Sequence, residues 1–214
     1  MKTNFEYRLF GRSKGRGKIN TITDEAKKIR ISKIDSSKYI IVDVGCGYGE
    51  STLEIAKNNN KKNVIACEKF IDGINKIAEN NTNSKLKNIS IFHGNVHQLL
   101  DEYCYLRSIA EMWILFPDPW PKKKHFKRRL INTSFFIKLN KYLKKNSKIH
   151  IASDSKGYIS EILSSVYQVK NDFKWINQNK DEWDYKNLPL PKTKYFKKAL
   201  KKGLNPFYLK LTKL

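Results

Sequence analysis

The chain has 214 residues, 40% of them hydrophobic, which fits one domain with a sizeable core. It carries 43 Lys+Arg against 20 Asp+Glu, a formal charge of +23, and no apolar run approaches the length that spans a bilayer. A membrane-spanning function is thereby excluded from the reading, and a polyanionic partner becomes the leading one. Part of the basic surplus is compositional, as tracts such as KNNNKKN and NNTNSKLKN show. Composition does not explain why Arg and Gly punctuate residues 8–18, or why base gathers after Trp120. Cys46, Cys67 and Cys104 have no close CxxC spacing, and an odd count suggests reduced thiols in a cytoplasmic protein.

Taken in chain order, residues 1–37 form a basic N-terminal arm without an apolar signal core, with a short helix expected around DEAKKIRISKI. A domain then follows over residues 38–214. YIIVDVG (39–45) is a strand running into glycine, STLEIAKN a helix, NVIACEK (63–69) a second strand and FIDGINKIAENN (70–81) a second helix. NISIF (88–92) is a third strand, VHQLLDEY a third helix and EMWILF (111–116) a fourth strand. INTSFFIKLNKYL is helical, SKIHIASD is strand five, and YQVKNDFKWI is expected as strand six. DEWDYKNLPLPKTKYFKKALKKG is expected to be poor in helix, and NPFYLKLTKL reads as a closing edge or antiparallel strand. Strands alternating with helices over this length specify an α/β sheet covered on both faces.

Two constellations carry chemistry. In IIVDVGCGYGES, Gly45, Gly47 and Gly49 sit where a strand turns into a helix and let the backbone approach a ligand. The dinucleotide pattern needs glycine at position 50, where this chain has Glu50, and no G-K-[ST] makes a P-loop. Glu68, at the end of the second strand, is placed to accept from ribose hydroxyls. Asp43 is placed to meet a cationic amino group, and Asn95 to bond an adenine edge. No hydrolase or zinc-protease motif is present, and His93, His97, His125 and His150 lack ligand spacing, so no metal is expected.

The second constellation is ILFPDPWPKKKHFKRR (114–129). A strand ends, Asp118 stands between two prolines that restrict its loop, and Trp120 offers a stacking surface. Lys122, Lys123, Lys124, Lys127, Arg128 and Arg129 then supply more charge than a solvated helix start needs, and phosphate contact accounts for it.

Together VDVGCGYGES, ACEK, FPDPWPKKKHFKRR, HIASD and PKTKY resemble the bacterial tRNA (guanine-N7-)-methyltransferase family, and LFGRSKGRGK resembles its N-terminal arm. The PDPW motif with its base is the most diagnostic part; the glycine loop alone fits any class I methyltransferase. The resemblance implies a Rossmann-like class I methyltransferase fold, a mostly parallel seven-stranded sheet with an antiparallel last strand and helices on both faces. It implies S-adenosyl-L-methionine as cofactor and N7 of a guanosine in tRNA as target, guanosine 46 of the variable loop. It also implies roles: Asp43, Gly45, Gly47, Gly49, Glu68 and Asn95 for the cofactor, and Asp118 at the reaction centre. Lys122, Asp154 and Thr193 would lie on the substrate side, with Lys123, Lys124, Lys127, Arg128 and Arg129 on the RNA backbone. A monomer is expected, with a homodimer as the alternative. Two positions depart from the family pattern: Phe196 replaces the Glu that ends its TKFE or TEYE segment, and Pro121 stands where many relatives carry His.

Two rivals remain at this point. Another class I methyltransferase would share the glycine loop but has no reason for PDPWPKKKHFKRR. A non-catalytic RNA-binding module has no reason to keep Asp43, Glu68 and Asp118.

Overall fold

A computed structural model describes residues 21–35 and 37–214 of the chain. Its strands form a seven-stranded sheet in the order β3-β2-β1-β4-β5-β7-β6, the topology expected of a Rossmann-like class I methyltransferase. By internal contacts the chain divides into two units, Met1–Ser108 and Ile109–Leu214.

In the first unit, β1 (Ile40–Val44), β2 (Asn63–Glu68) and β3 (Ile89–His93) pair in parallel. Every residue of β1 is buried, Asp43 included, as expected of a strand covered on both faces. Parallel neighbours need long crossovers, which α2 (Glu50–Asn58) and α3 (Ile71–Ser84) supply, with α4 (Val96–Tyr103) following β3. Ile74, Ile77 and Ala78 of α3 and Leu99 and Leu100 of α4 are buried at helical spacing.

The expected arm falls mostly outside the described residues, LFGRSKGRGK entirely so. Of its short helix, α1 (Asp24–Lys28) forms, capped by the Thr23 side chain on Ala26 N–H. The chain then bridges β3: Ile31 N–H donates to Ile91 O at 2.8 Å, and Ile91 N–H to Ile29 O at 2.9 Å. This covers the outer edge of β3.

In the second unit, β4 (Ile109–Leu115) and β5 (Leu143–Ser153) are parallel, and β7 (Phe207–Lys213) lies antiparallel to both β5 and β6 (Phe173–Trp175). The closing strand is therefore antiparallel as expected, but it is interior, and β6 takes the edge. α5 (Thr133–Tyr142) agrees with its apolar pattern.

Two expectations for this half need correction. Tyr167 and Gln168, expected in strand six, belong to α6 (Lys156–Gln168), whose Tyr158, Ile159, Ile162 and Val166 face inward at helical spacing. The tail expected to be poor in helix contains α7 (Lys194–Lys201), capped by the Thr193 hydroxyl on Phe196 N–H. Local prolines marked the approach to α7 and obscured its short amphipathic run.

Candidate active site

In the first unit the site begins where β1 stops. Gly45, Gly47 and Gly49 have φ of 67°, 60° and 83°, the left-handed region that side chains disfavour. A Cβ at Gly45 or Gly47 would stand in open space, so backbone conformation alone selects glycine there. At Gly49 a Cβ would also lie 2.5 Å from Ile77 Cγ1.

Glu68 is buried at the end of β2, and its carboxylate is occupied by the backbone. One oxygen accepts from Gly47 N–H at 2.8 Å, the other from Lys69 N–H at 2.8 Å and Phe70 N–H at 2.9 Å. Three of about four acceptor positions are thus used within the chain, which leaves room for one hydroxyl rather than a ribose pair. Gly73, which the sequence reading passed over, lies against the same loop: a Cβ there would stand 2.3 Å from the Gly47 carbonyl oxygen. A glycine inside a helical pattern was the available signal for it.

Asp43 is 1% exposed. One of its oxygens accepts from the Ser51 and Thr52 hydroxyls at the start of α2, both at 2.7 Å. The other is buried and has no hydrogen-bond partner among the described residues. Burial, helped by the nearby charge of Glu68, pushes this carboxyl up to about 6 against the pull of the two hydroxyls. A buried carboxylate oxygen in want of a donor, beside glycines in open space, fits the ammonium end of an aminoacyl group such as the methionine part of S-adenosyl-L-methionine. Asn95 caps α4, its amide oxygen accepting from His97 N–H at 2.8 Å, so its NH₂ is the part suited to a ligand. Burial raises the thiols of Cys46 and Cys67 well above their usual value, which argues against either as a nucleophile.

In the second unit, β4 runs into Pro117-Asp118-Pro119. The residues on either side, Phe116 and Trp120, have φ of 54° and 41°. Bulky side chains avoid this region, and each such residue costs on the order of 1–3 kcal/mol unless its surroundings over-determine it. Phe116 is fixed by its N–H donating to Ala152 O at 2.8 Å and by an edge contact with the Tyr185 ring, centroids 5.7 Å apart. Trp120 sits between His125, edge-on at 5.6 Å, and the Arg128 guanidinium, 5.0 Å from its ring centroid. Asp118 is exposed between these two fixed points.

The register pairs Leu115 with Ala152, so Asp118 and Asp154 leave adjacent parallel strands at the same carboxyl end. Asp154 is half-buried. Lys122, Lys123, Lys124 and Lys127 are exposed on and just before a 3-10 turn, Lys123–Arg128.

Arg129 does not share that position. It is 6% exposed: its Nε donates to Pro119 O at 2.7 Å, and its guanidinium pairs with Glu161 of α6 and lies 3.7 Å from the Phe126 ring centroid. A phosphate cannot reach a guanidinium so enclosed, and the expectation that Arg129 contacts the RNA backbone is corrected on that ground.

Thr193 is 7% exposed, its hydroxyl committed to capping α7. Phe196 is buried, with its ring 5.1 Å from that of Tyr185. Tyr185 in turn neighbours Tyr208, which bonds His150 Nδ1 at 2.6 Å. His150 Nε2 lies 3.1 Å from Glu111 Oε1, and its ring stacks on Trp113 at 3.9 Å. Burial lowers the His150 pKa despite Glu111, so this cluster reads as part of the buried core rather than a catalytic pair. Among the described residues no group of three or more His, Cys, Asp or Glu could hold a metal, and no helix is long and apolar enough to cross a membrane.

A family model described as "Putative methyltransferase" matches residues 37–209. A tRNA (guanine-N(7)-)-methyltransferase of Wolbachia pipientis wMel is 33% identical over 168 residues, covering 78% of this chain and 72% of that protein. The enzyme of the same name from Buchnera aphidicola subsp. Schizaphis graminum is 30% identical over 183 residues, covering 86% and 75%. Among solved structures, the 16S rRNA methyltransferase KamB superposes with a TM-score of 0.59 over 91% of this chain and 95% of its own, at 14% identity, a likeness of fold alone. The chain belongs to the tRNA (guanine-N(7)-)-methyltransferase family.

Proposed function

We propose that the protein methylates N7 of a guanosine in tRNA, guanosine 46 of the variable loop, using S-adenosyl-L-methionine, and that it acts as a monomer in the cytoplasm. The observation that carries this reading is Asp118, an exposed acid set between two strained, pinned residues and followed directly by exposed base. The cofactor, when bound, supplies a methyl group carried on a sulfonium. Asp43 would hold its amino group, the Gly45–Gly49 loop and Glu68 its methionine and ribose parts, and the Asn95 NH₂ its adenine.

Guanine N7 has an exposed lone pair and needs no proton removed before it reacts. What remains for the protein is positioning and electrostatics. Asp118 can accept from the guanine N1–H and amino edge, which adenine does not present. It also opposes the positive charge that the purine ring gains on methylation. Asp154 stands at the same strand ends, and Lys122, Lys123, Lys124, Lys127 and Arg128 hold the backbone around the target. Thr193 supports this side by fixing the start of α7, and Tyr195, 48% exposed, offers a ring for stacking.

The direct test combines the purified protein, labelled S-adenosyl-L-methionine and unmodified tRNA, with nucleoside analysis and mapping of the label. Labelled 7-methylguanosine at position 46 is the expected product. Label in another base, or in protein, would overturn the reading.

A further inference from the structure

The basic run after PDPW contains one member that faces inward, and its contacts are with the loop that carries Asp118. Arg129 sends Nε to the carbonyl of Pro119 at 2.7 Å and Nη2 towards that of Trp120 at 3.4 Å. Those two carbonyls flank the Trp120 backbone, whose φ of 41° a tryptophan does not adopt unaided. The far side of the guanidinium is fixed by Glu161, by the Phe126 ring at 3.7 Å and by the Tyr158 ring at 4.9 Å. Tyr158 is itself fixed, its hydroxyl accepting from Ile131 N–H at 2.9 Å. The planar fork of an arginine meets two carbonyls and a carboxylate in fixed, diverging directions, whereas a lysine would offer all its donors from a single nitrogen.

We propose that Arg129 is a positioning residue for methyl transfer: by holding the Pro119 and Trp120 carbonyls it maintains the strained turn that directs Asp118. The inference rests on the reading of Asp118 given above. Burial pushes the Tyr158 phenol up to about 12, and the charges acting on it include both Arg129 and Asp118, so the two ionic groups share one electrostatic neighbourhood. Arg129 touches neither substrate nor cofactor in this scheme and acts only through the loop.

R129K keeps the charge and removes the fork. It is expected to bind S-adenosylhomocysteine within about threefold of wild type and to keep its tRNA affinity and salt slope. Its single-turnover methylation rate should fall by about 10- to 100-fold. Combined with D118N, R129K should add less than about a twofold loss, because both changes remove the same directed carboxylate.

A rate near wild type for R129K beside a slow D118N would overturn the proposal and leave the role of Asp118 intact. So would losses that multiply in the double variant. A weakened tRNA affinity with a salt slope lower by about one would return Arg129 to the phosphate contacts. A D118N enzyme at full rate with a slow R129K would instead overturn the role of Asp118 and, with it, this route of action for Arg129. Should R129K fail to fold, E161Q serves in its place, since the Glu161 side chain is 42% exposed. It is expected to slow single turnover severalfold without altering the salt slope, and a wild-type rate would overturn the proposal.

Discussion

The carboxylate of Glu68 accepts a 2.8 Å hydrogen bond from the backbone N–H of Gly47, tying the end of β2 to the middle of the glycine loop. Its other oxygen binds the N–H groups of Lys69 and Phe70, so the residue shapes the loop as much as it awaits a ligand. In E68Q one acceptor oxygen becomes an NH₂ that must face N–H donors. Leaving a buried donor unmet costs about 1–3 kcal/mol. E68Q is therefore expected to melt several degrees lower and to lose at least about tenfold in S-adenosylhomocysteine affinity by calorimetry. Unchanged affinity with a lower melting point would confine Glu68 to the loop.

Gly73 offers a test of the same loop from the α3 side. A Cβ there would lie 2.3 Å from Gly47 O, and a backbone carbonyl cannot swing away as a side chain can. Overpacking of this kind typically costs about 1–3 kcal/mol. G73A is expected to displace the loop and weaken S-adenosylhomocysteine binding, while tRNA affinity holds. Cofactor affinity equal to wild type would show that α3 moves instead.

The pKa of Asp43 gives cofactor binding a pH dependence of definite sign. Burial raises this carboxyl from 3.8 to about 6 in the folded chain. Between those values the folded state holds the proton more tightly than the unfolded one, so this group's contribution to stability falls as pH rises through the window, then levels off. His150 acts oppositely, because burial lowers its pKa, and below the ordinary histidine value its contribution to stability is lost. Binding separates the two. An ammonium ligand needs Asp43 ionised, so S-adenosylhomocysteine affinity should weaken by up to about tenfold per unit below pH 6. D43N should bind weakly at every pH and lose that slope. A slope that survives in D43N would assign the titration elsewhere.

Parallel strands are legible in a sequence because burial on both faces leaves near-continuous apolar runs, and IIVDV and EMWILF read plainly for that reason despite one acid in each. The glycine loop is equally plain, since three positive φ values within five residues strongly favour glycine. α6 was harder: SKGYISEILSSVYQ mixes serine among its apolar positions, and its last turn merges into the approach to β6. What a polar side chain faces is harder still. Arg128 and Arg129 are adjacent in one basic run, yet Arg128 lies over Trp120 while Arg129 is enclosed with Glu161, thirty-two positions on. Glu68, Asn95 and Thr193 each also satisfy backbone N–H groups, a use that depends on caps and turns rather than on residue type.

The exposed members of the basic run carry a prediction about salt. Lys123, Lys124 and Lys127 are exposed, and cations early in a helical turn are mildly unfavourable without a counter-charge. If each meets a phosphate, neutralising all three should weaken binding about uniformly across tRNAs and flatten the log Kd against log salt slope by about 2–3. S-adenosylhomocysteine affinity should not change. An unaltered slope in the triple variant would leave these lysines as solvated surface.

The sharpest prediction concerns Asp118. Its loop is held at both ends, by Phe116 N–H on Ala152 O and by Arg129 on Pro119 O, and neither bond involves the carboxylate. The nearly isosteric D118N should therefore fold as wild type does. If the acid only shaped a turn, the amide would serve as well and activity would persist. If it opposes charge growing on the guanine ring, the substitution removes stabilisation that exists chiefly in the transition state and leaves cofactor affinity almost untouched. A loss of about 3 kcal/mol there corresponds to roughly a hundredfold in rate. D118N is expected to bind S-adenosylhomocysteine within about threefold of wild type and to lose about two orders of magnitude in single-turnover transfer to tRNA. Single turnover is the required measurement, since slow product release would mask the chemical step. Near wild-type transfer at saturating tRNA and cofactor would leave Asp118 as scaffolding. Asp154, leaving the neighbouring strand at the same end, would then be the carboxylate to test at the guanine.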